Sequence, residues 1–557
     1  MRFNIAASKK RAADGQHPPL HPSTRLERCE VIVAAAYLWC SPGLLLWGLA
    51  IVCFVPGARG QDSKAPPIRQ YISQSWDSLT RSTGECKSYV DSKVAHAKRT
   101  LYIPSNFVKD SGFEEFEKRC QVNVLRLPRP IVNLDDVPVS SLTENGLLYL
   151  PRPYVVPGGR FNEMYGWDSY FIELGLLADR RTDRAKDVLD DFLFEVENYG
   201  GVLNANRSYY LSRSQPPFLA EMILAYRQRT SSEQTDVGAD NAWLNRAYRD
   251  AKRAYGLWTE PKHMAGNTGL SRYADYESGP VPEMADDDDY YPRVVEWLEH
   301  HPSEHPEYLA PRKNDSEHSQ LSAAFYQGDR ADRESGFDTT FRFGPFAGST
   351  DHFAPVCLNS LLFRYEEDMA KLADYLAKPR DAKRWRERAR FRKHAMNIFL
   401  WSKSQGRFVD YDFVDHVQSD YLYVTSFYPL WAGVASPEQA RLTAQNLAKL
   451  EFAYGVQMSA TVSGLQWDAP FGWAPCNWIV ADGLRRYGFG ESAKRISRKF
   501  TQTIEANYEK EGTIREKYNV ADGTTSIDVS NGYRQNVTGF GWTNGVYLAM
   551  KQLLSSQ

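Results

Sequence analysis

Two segments far apart in the chain combine Gly, Pro, Trp and carboxylates in runs that have neither a helical nor a strand period. Residues 157–170 read PGGRFNEMYGWDSY, and residues 466–475 read QWDAPFGWAP. A Trp ring offers a flat apolar face to a pyranose, while Arg and Asp make forked hydrogen bonds to hydroxyl groups. Gly and Pro fix the loops that carry these side chains, so the two segments predict a sugar-binding pocket. The alternative is that Trp167 and Trp473 are only core aromatics.

Both segments resemble the two signature segments of trehalases, the inverting glycoside hydrolases that split α,α-trehalose into two glucose molecules. The resemblance extends from about Tyr149 to the C-terminus. It implies an all-α fold, an (α/α)6 toroid of two rings of six helices, with an active site built from loops. It also implies trehalose as the substrate and no metal or organic cofactor.

An inverting hydrolase needs a carboxylic acid and a carboxylate base, roughly 6.5–9.5 Å apart. Residues 333–342, RESGFDTTFR, resemble the trehalase segment ESGWDxSSRW, which implies that Asp338 is the general acid. Phe337 would keep an apolar wall beside it and favour the protonated form. Residues 514–519, IREKYN, resemble the segment EKYD, which implies that Glu516 is the general base. The alternatives are a helix cap at Asp338 and a surface helix position at Glu516.

The same alignment implies a set of substrate contacts. Four come from the first signature and four from the segment NANRSYYLSRSQPP (204–217). One lies at the end of residues 271–283, one precedes the acid, and three come from the second signature. In chain order these residues are Arg160, Phe161, Trp167, Asp168, Asn204, Arg213, Ser214, Gln215, Glu283, Gly336, Gln466, Trp467 and Trp473.

Three departures from the family pattern matter for the site. Val281 stands where trehalases carry an Arg that contacts the sugar, so Arg272 or Arg342 must supply the cation, or the substrate preference or rate has changed. The segment before TGFGWTNGV (538–546) lacks the usual Glu, which leaves Tyr533 or Gln535 as its replacement. Cys357 replaces an Asp, a change that we interpret as packing.

Helical periodicity dominates the chain after residue 148. Apolar residues repeat at three and four in a segment that starts near Thr182, again from Leu358 to Leu372, and near the C-terminus at Tyr547, Met550 and Leu553. Ser436 to Gln439 form a capping box with Pro at the first helical position. Residues 284–330 predict an inserted long loop, and its acidic run of four Asp residues predicts a solvated face rather than a calcium site.

The N-terminus has the basic, apolar and small-residue order of a secretory signal. Residues 1–60 are therefore predicted to be a signal peptide, with the continuous apolar part at Leu44 to Phe54 and cleavage after Gly60. This predicts a periplasmic or secreted protein, and the alternative is a membrane anchor at 31–56. Residues 61–148 are a lead-in segment that packs on the barrel, and residues 149–557 are the catalytic domain.

Charge and cysteine spacing exclude other classes of protein. The net charge is −2 with no basic stripe, so nucleic-acid binding has no electrostatic support. No CxxC or HExxH spacing occurs, which predicts no metal site. Cys86 and Cys120 are either bridged or free thiols. The sequence predicts a small sugar as the only partner, and the rival functions are hydrolysis of another α-glucoside and sugar binding without catalysis.

Overall fold

The computed structural model describes residues 65–91, 98–109, 111–231, 237–284, 289–311, 319–531 and 535–555. The predicted signal peptide (1–60), most of the acidic run and Tyr533 lie outside these ranges. Residues 64–557 form one compact unit.

The described residues are mostly helical, as the sequence predicts. The helices are α1 (Ile68–Ser78), α2 (Ser111–Cys120), α3 (Gly166–Ala178), α4 (Thr182–Tyr199), α5 (Leu219–Thr230), α6 (Val237–Leu257), α7 (Tyr290–His300), α8 (Ala323–Ser335), α9 (Val356–Tyr375), α10 (Pro379–Phe399), α11 (Tyr428–Ala432), α12 (Pro437–Gln445), α13 (Ala474–Arg486), α14 (Gly490–Glu511) and α15 (Gly541–Ser555).

The strands are short and belong to small separate sheets. They are β1 (Thr80–Arg81), β2 (Thr100–Ile103), β3 (Asn123–Arg126), β4 (Leu147–Leu148), β5 (Tyr154–Val155), β6 (Phe353–Ala354), β7 (Trp401–Ser402), β8 (Arg407–Phe408), β9 (Tyr411–Asp412), β10 (Val417–Gln418), β11 (Phe471–Trp473) and β12 (Lys517–Asn519). The sheet orders are β1-β5, β3-β2-β4, β10-β9-β6, β7-β8 and β11-β12. Among the five sheets of the described residues, only β3-β2-β4 is parallel.

Six helices pack against one another in a closed cycle. In the order α3, α5, α9, α11, α13, α15, each helix contacts the next, and α15 returns to α3. Helices α3 and α13 are buried on nearly every side, whereas α10 buries one face and exposes a row of Arg and Lys. This difference is expected when α10 packs outside α9, because a helix with neighbours on one side needs only one apolar face.

Helices α3 and α15 approach so closely that only glycine fits between them. A Cβ atom at Gly545 would lie 1.9 Å from the carbonyl oxygen of Phe171, and one at Gly175 would lie 2.7 Å from the Cα of Gly545. The two helices therefore join the start of the catalytic segment to its end.

Local sequence signals are confirmed at several helix ends. Helix α4 begins at Thr182, and Ser436 and Gln439 form the reciprocal capping bonds of 3.2 and 2.8 Å at the start of α12. The predicted loop at 284–330 is only partly a loop, because it contains α7 and the start of α8. Tyr290, Val294 and Leu298 lie on one face of α7 and are buried in a separate apolar cluster.

The lead-in segment has a small core of its own. The parallel sheet β3-β2-β4 packs with α2 around Leu101, Ile103 and Phe116. Cys86 and Cys120 are joined by a disulfide, which decides between the two states that the sequence left open. Helix α1 packs against α15, and β1 pairs with β5, so this segment is attached to the helical cycle.

Candidate active site

One pocket brings together residues from every signature segment. It holds about 720 Å³ of open space, including solvent at its mouth. Its lining includes Arg160, Phe161, Trp167, Asp168, Asn204, Arg213, Gln215, Glu283, Gly336, Asp338, Gln466, Trp467, Trp473 and Glu516. Of the predicted site residues, only Ser214 is absent from the lining.

Ser214 is buried but faces away from the pocket. Its hydroxyl donates to the carbonyl oxygen of Val202 at 2.5 Å, and its backbone N–H donates to Glu334. These bonds use the side chain to hold the 204–217 segment in place. The prediction that Ser214 contacts the substrate therefore has no support in this geometry.

Arg160 lines the pocket with its guanidinium over an aromatic ring. Its guanidinium lies 4.7 Å from the ring centroid of Phe161, an arrangement that holds the cation by attraction to the ring face. Its Nε is buried and makes no hydrogen bond to the described part of the chain.

Arg213 is fixed by two carboxylates at the pocket wall. Its Nη2 donates to Glu283, and its Nη1 lies 3.4 Å from Asp275. Burial alone would lower the pKa of Arg213, but the charges of Glu283 and Asp275 outweigh it and raise this pKa. The group is thus a permanent cation of fixed orientation, as forked recognition of hydroxyls requires.

Asp338 follows the end of helix α8 and is not a helix cap. The helix ends at Gly336 in a left-handed conformation (φ 76°), where a Cβ atom would lie 2.9 Å from the Trp167 ring. Glycine is therefore required for the turn that carries Asp338 into the pocket. The Asp338 side chain is 22% exposed, and Phe337 packs behind it against Trp167 and Trp467.

A second carboxyl group, Asp332, lies in α8 close to Asp338. Burial raises the pKa of Asp332 well above its usual range, and the negative charges of Asp338 and Asp329 raise it further. These effects favour the protonated, neutral form of Asp332 and so limit the negative charge beside Asp338.

The two arginines expected to compensate for Val281 are engaged elsewhere. Arg272 donates to the backbone carbonyls of Lys262 and Asp351, and Arg342 forms a buried ion pair of 2.6 Å with Asp410. Neither lines the pocket. Val281 is also outside it, 2% exposed within the apolar cluster of α7.

Arg333 supplies a cation that the sequence analysis did not single out. It lines the pocket, and its Nη1 lies 3.4 Å from Oδ2 of Asp338. Its Nε donates to Asp329 at 3.2 Å, and its guanidinium lies 5.3 Å from the Tyr290 ring centroid. Tyr291 also donates to Asp329, at 2.9 Å. Helix α7, in the predicted insertion, thereby supports a pocket arginine.

Strands β11 and β12 place the second signature beside the EKY segment. They pair antiparallel, with Trp473 opposite Lys517. Trp467 stacks on Trp473 with a centroid distance of 3.7 Å and an interplanar angle of 5°. Glu516 immediately precedes β12, so this sheet carries the candidate base to the stacked aromatic wall.

The backbone of Glu516 is held on both sides, and the residue does not lie on a helix. Its N–H donates to Val537 at 3.1 Å, and its carbonyl accepts from Trp542 Nε1 at 3.2 Å and from Thr543. Trp542 and Thr543 belong to the TGFGWTNGV segment at the start of α15. The Glu516 side chain is 14% exposed and faces the pocket, unlike a surface helix residue.

Asp468, which accompanies the second signature, shapes the site without lining it. Its carboxylate accepts hydrogen bonds of 2.7–3.0 Å from the four donors Thr340 Oγ1, Phe341 N, Tyr421 Oη and Ser463 Oγ. It thereby holds the turn after Asp338 against the second signature loop.

Several lining residues were not predicted as contacts. They are Pro157, Tyr165, Tyr210, Arg333, Val537, Phe540 and Trp542, together with Gln535, which the sequence left as one of two replacements for the missing Glu. Phe540 and Trp542 lie within the TGFGWTNGV segment, so their aromatic character was the available signal. In the described residues, no group of three or more His, Cys, Asp or Glu side chains is arranged to hold a metal ion.

Fungal neutral trehalases are similar to this chain over most of its length. The cytosolic neutral trehalase of Kluyveromyces lactis is 34% identical over 88% of this chain and 72% of its own. That of Saccharomyces cerevisiae is 31% identical over 90% of this chain and 74% of its own. The solved structure of the Saccharomyces cerevisiae neutral trehalase superimposes with a TM-score of 0.74 at 30% identity, covering 88% of this chain and 94% of that one.

The names of these relatives contradict the predicted export. They are cytosolic enzymes, so the prediction of a periplasmic or secreted protein, drawn from the order of residues in 1–60, is wrong on this comparison. An apolar stretch after basic residues is a weak signal, and here it misled. Among the described residues, no helix has the length and apolar character needed to cross a bilayer.

The family model for trehalases matches residues 59–555, which includes the lead-in segment as well as both signatures. This match, the two relatives and the shared fold agree with the pocket geometry. The chain therefore belongs to the trehalase family of glycoside hydrolases.

Proposed function

We propose that this chain hydrolyses α,α-trehalose to two glucose molecules by a single displacement with inversion. The observation that supports it best is that Asp338 and Glu516, from segments far apart in the sequence, line one pocket with the aromatic and cationic groups of both signatures. A sugar-binding protein without catalysis would need the aromatic wall but not the two carboxyl groups.

In this mechanism Asp338 is the acid and Glu516 is the base. The Asp338 carboxyl gives its proton to the glycosidic oxygen as the bond from that oxygen to C1 breaks. The Glu516 carboxylate takes a proton from a water molecule, whose oxygen forms the new bond to C1 from the opposite face. The products are one glucose with inverted configuration, the β-anomer, and one that leaves as the α-anomer.

The remaining lining residues would bind and orient the disaccharide. Stacked Trp467 and Trp473 offer an apolar wall to the sugar rings, and Arg160 and Arg213 offer donors to hydroxyl groups. Trehalases carry an Arg where this chain has Val281. Arg333, next to Asp338, supplies the positive charge in its place. Asp168, Asn204, Gln215, Glu283 and Gln466 complete the polar lining.

The domain organisation follows from the closed cycle of helices. We propose that α3, α5, α9, α11, α13 and α15 are the inner ring of an (α/α)6 toroid. Helices α4, α6, α10 and α14, which pack outside them, belong to the outer ring. Residues 149–557 form this catalytic domain, and residues 61–148 pack on it.

Proton NMR of the first minutes of hydrolysis tests the proposal. Purified protein with trehalose should release α- and β-glucose in equal amounts before mutarotation. An initial product containing only α-glucose would mean retention and a different pair of carboxylates. Glucose release from another α-glucoside but not from trehalose would instead support a changed substrate.

A further inference from the structure

Lys517 is a fully buried cation directly behind the candidate base. Its side chain has 0% exposure, and its Nζ lies 3.1 Å from Oε2 of Glu516. The same Nζ lies 4.7 Å from the centroid of the Trp473 ring, on the aromatic wall of the pocket. Lys517 itself is not one of the residues that line the pocket. Burying an ammonium group is costly unless its partners hold it, and Glu516 is its only anionic partner within 4 Å in the described residues.

Gln466 connects this cation to the segment of the candidate acid. Lys517 Nζ donates to Oε1 of Gln466 at 2.9 Å, and Nε2 of Gln466 donates to the backbone carbonyl of Asp338 at 2.6 Å. A continuous chain of hydrogen bonds therefore runs from Glu516 through Lys517 and Gln466 to Asp338. The backbone carbonyl of Gln466 also accepts from Trp473 Nε1 at 2.9 Å, which fixes the middle of this chain.

We infer that Lys517 is a positioning residue, which orients the carboxylate of Glu516 and, through Gln466, sets its place relative to Asp338. The inference rests on the proposed function, because it assigns Lys517 a role only if Glu516 is the base. The Lys517 ammonium donates a hydrogen bond to Oε2 of Glu516. Oε1 of Glu516 makes no hydrogen bond within the described residues, so this oxygen is available to the attacking water. A rigid tie is useful here because inversion requires room for one water between the carboxylate and the sugar.

The charge of Lys517 also acts on Glu516 directly. The charged groups that influence Lys517 are Glu516, Arg160 and Asp338, and burial lowers the pKa of its ammonium while Glu516 opposes this shift. Removing a cation in contact with a carboxylate disfavours the ionised carboxylate. The acidic limb of the kcat/KM profile reports the base of the free enzyme, so loss of Lys517 should move this limb to higher pH.

The test replaces Lys517 by Met, which keeps the length of the side chain and removes the charge. We expect kcat on trehalose to fall about 10- to 100-fold with KM little changed, since a misplaced catalytic group costs rate rather than affinity. The acidic limb of kcat/KM should move to higher pH. Lys517→Gln is a second neutral variant, to be used if Lys517→Met does not fold. The acidic limb of its kcat/KM profile should shift in the same direction.

Lys186→Met is the matched control. Lys186 also pairs with a carboxylate, Asp190 at 2.6 Å, and also lies over a Trp ring, Trp243 at 5.4 Å, but it is outside the pocket. This variant should keep the wild-type kcat and pH profile. It therefore separates loss of an ion pair from loss of positioning.

A double-mutant cycle completes the experiment. If Lys517 acts through Glu516, Lys517→Met should cause no further loss of rate in the Glu516→Gln background. Folded Lys517 variants with a lower melting temperature but an unmoved acidic limb and wild-type kcat would overturn the inference and leave only a structural role. The proposed function fails separately, if the wild-type protein releases no glucose from trehalose at any pH.

Discussion

Asp338 and Glu516 allow the smallest possible test of a catalytic role, because an amide replaces a carboxyl group with almost no change in shape. Asp338→Asn cannot donate the proton, and Glu516→Gln cannot accept one. Each change should lower kcat on trehalose by at least about 10²–10⁴-fold with an unchanged melting temperature. The exposed Glu438, paired with Arg441 at 2.7 Å, gives the control Glu438→Gln, which should keep full activity. Near-wild-type turnover in either pocket variant would remove that residue from the mechanism.

Val281→Arg should impair the protein instead of restoring a missing contact. Position 281 is buried among apolar side chains, and its backbone N–H is bonded to Tyr291 at 3.1 Å. A guanidinium there would be buried without a carboxylate partner of its own, next to the network that holds Arg333. We expect a clearly lower melting temperature and a lower kcat/KM in glucose-release assays. A gain in kcat/KM would show that Arg333 does not fill the place of the missing cation.

The sequence motifs identified most of the residues that line the pocket, but they could not predict which way each side chain points. Asp338, Gly336 and Glu516 lie where the alignment implies, because their segments are continuous matches. Ser214 shares its segment with Arg213, yet it turns to a backbone carbonyl, which only the local turn decides. Arg333 was missed because it stands five residues before Asp338, on a helix whose last turn points it back to the pocket.

At the level of elements, the contact between α3 and α15 gives a clear stability test. Gly545→Ala would place a methyl group 1.9 Å from the Phe171 carbonyl, so the helices must separate. Overpacking of this kind costs about 1–3 kcal/mol, and the first turn of α15 also holds the backbone of Glu516. We expect a lower melting temperature and reduced kcat, measured by circular dichroism and by glucose release.

Gly256 in helix α6 provides the opposite case for comparison. Apart from its chain neighbours and the backbone of its own helix, no atom of the described residues lies within 4 Å of a Cβ built at this position. Gly256→Ala should therefore stabilise the protein by up to about 1 kcal/mol, since Ala is the better helix former, and leave kcat unchanged. Equal effects of the two substitutions would show that the helix contact is not tightly packed.

Sequence periodicity found the long helices and missed features that depend on distant partners. Helix α7 has an apolar stripe, but Pro, His and Glu around it favoured a loop. Strands β11 and β12 are three residues each, too short for an alternating pattern to be visible, and they form only because each supplies the other's hydrogen bonds.

The whole molecule brings these segments together by closing a cycle of helices. The sequence alone predicts a large helical domain, and the order of neighbours around the cycle comes from packing. Helix α15, at the end of the chain, meets α3, near the start of the catalytic segment. This closure places the loop at residues 157–165, which precedes α3, beside the TGFGWTNGV segment, which opens α15. The pocket is therefore a property of the closed cycle and not of any one segment.

Stability against pH should reveal a carboxyl group buried inside this cycle. Glu173 on α3 is fully buried, and its Oε1 makes no hydrogen bond in the described part of the chain. Burial raises the pKa of Glu173 well above its usual value of 4.5, and the charge of Glu221 on α5 raises it further. A raised pKa means that the stabilising contribution is complete below pH 4.5 and is lost as pH rises toward the folded-state pKa.

Glu173→Gln removes this titration. The melting temperature of the variant should therefore rise relative to that of the wild type as pH increases from 4 to 8. In the interval where only the unfolded state is ionised, the difference in unfolding free energy should change by about 1.4 kcal/mol per pH unit. For a unit of this size, that is about 1 °C per pH unit in melting temperature, measurable by scanning calorimetry in matched buffers. The offset between the two proteins at pH 4 reports packing and hydrogen bonding of the new amide. Only the slope tests the titration, and parallel profiles would show that Glu173 is already ionised in the folded protein.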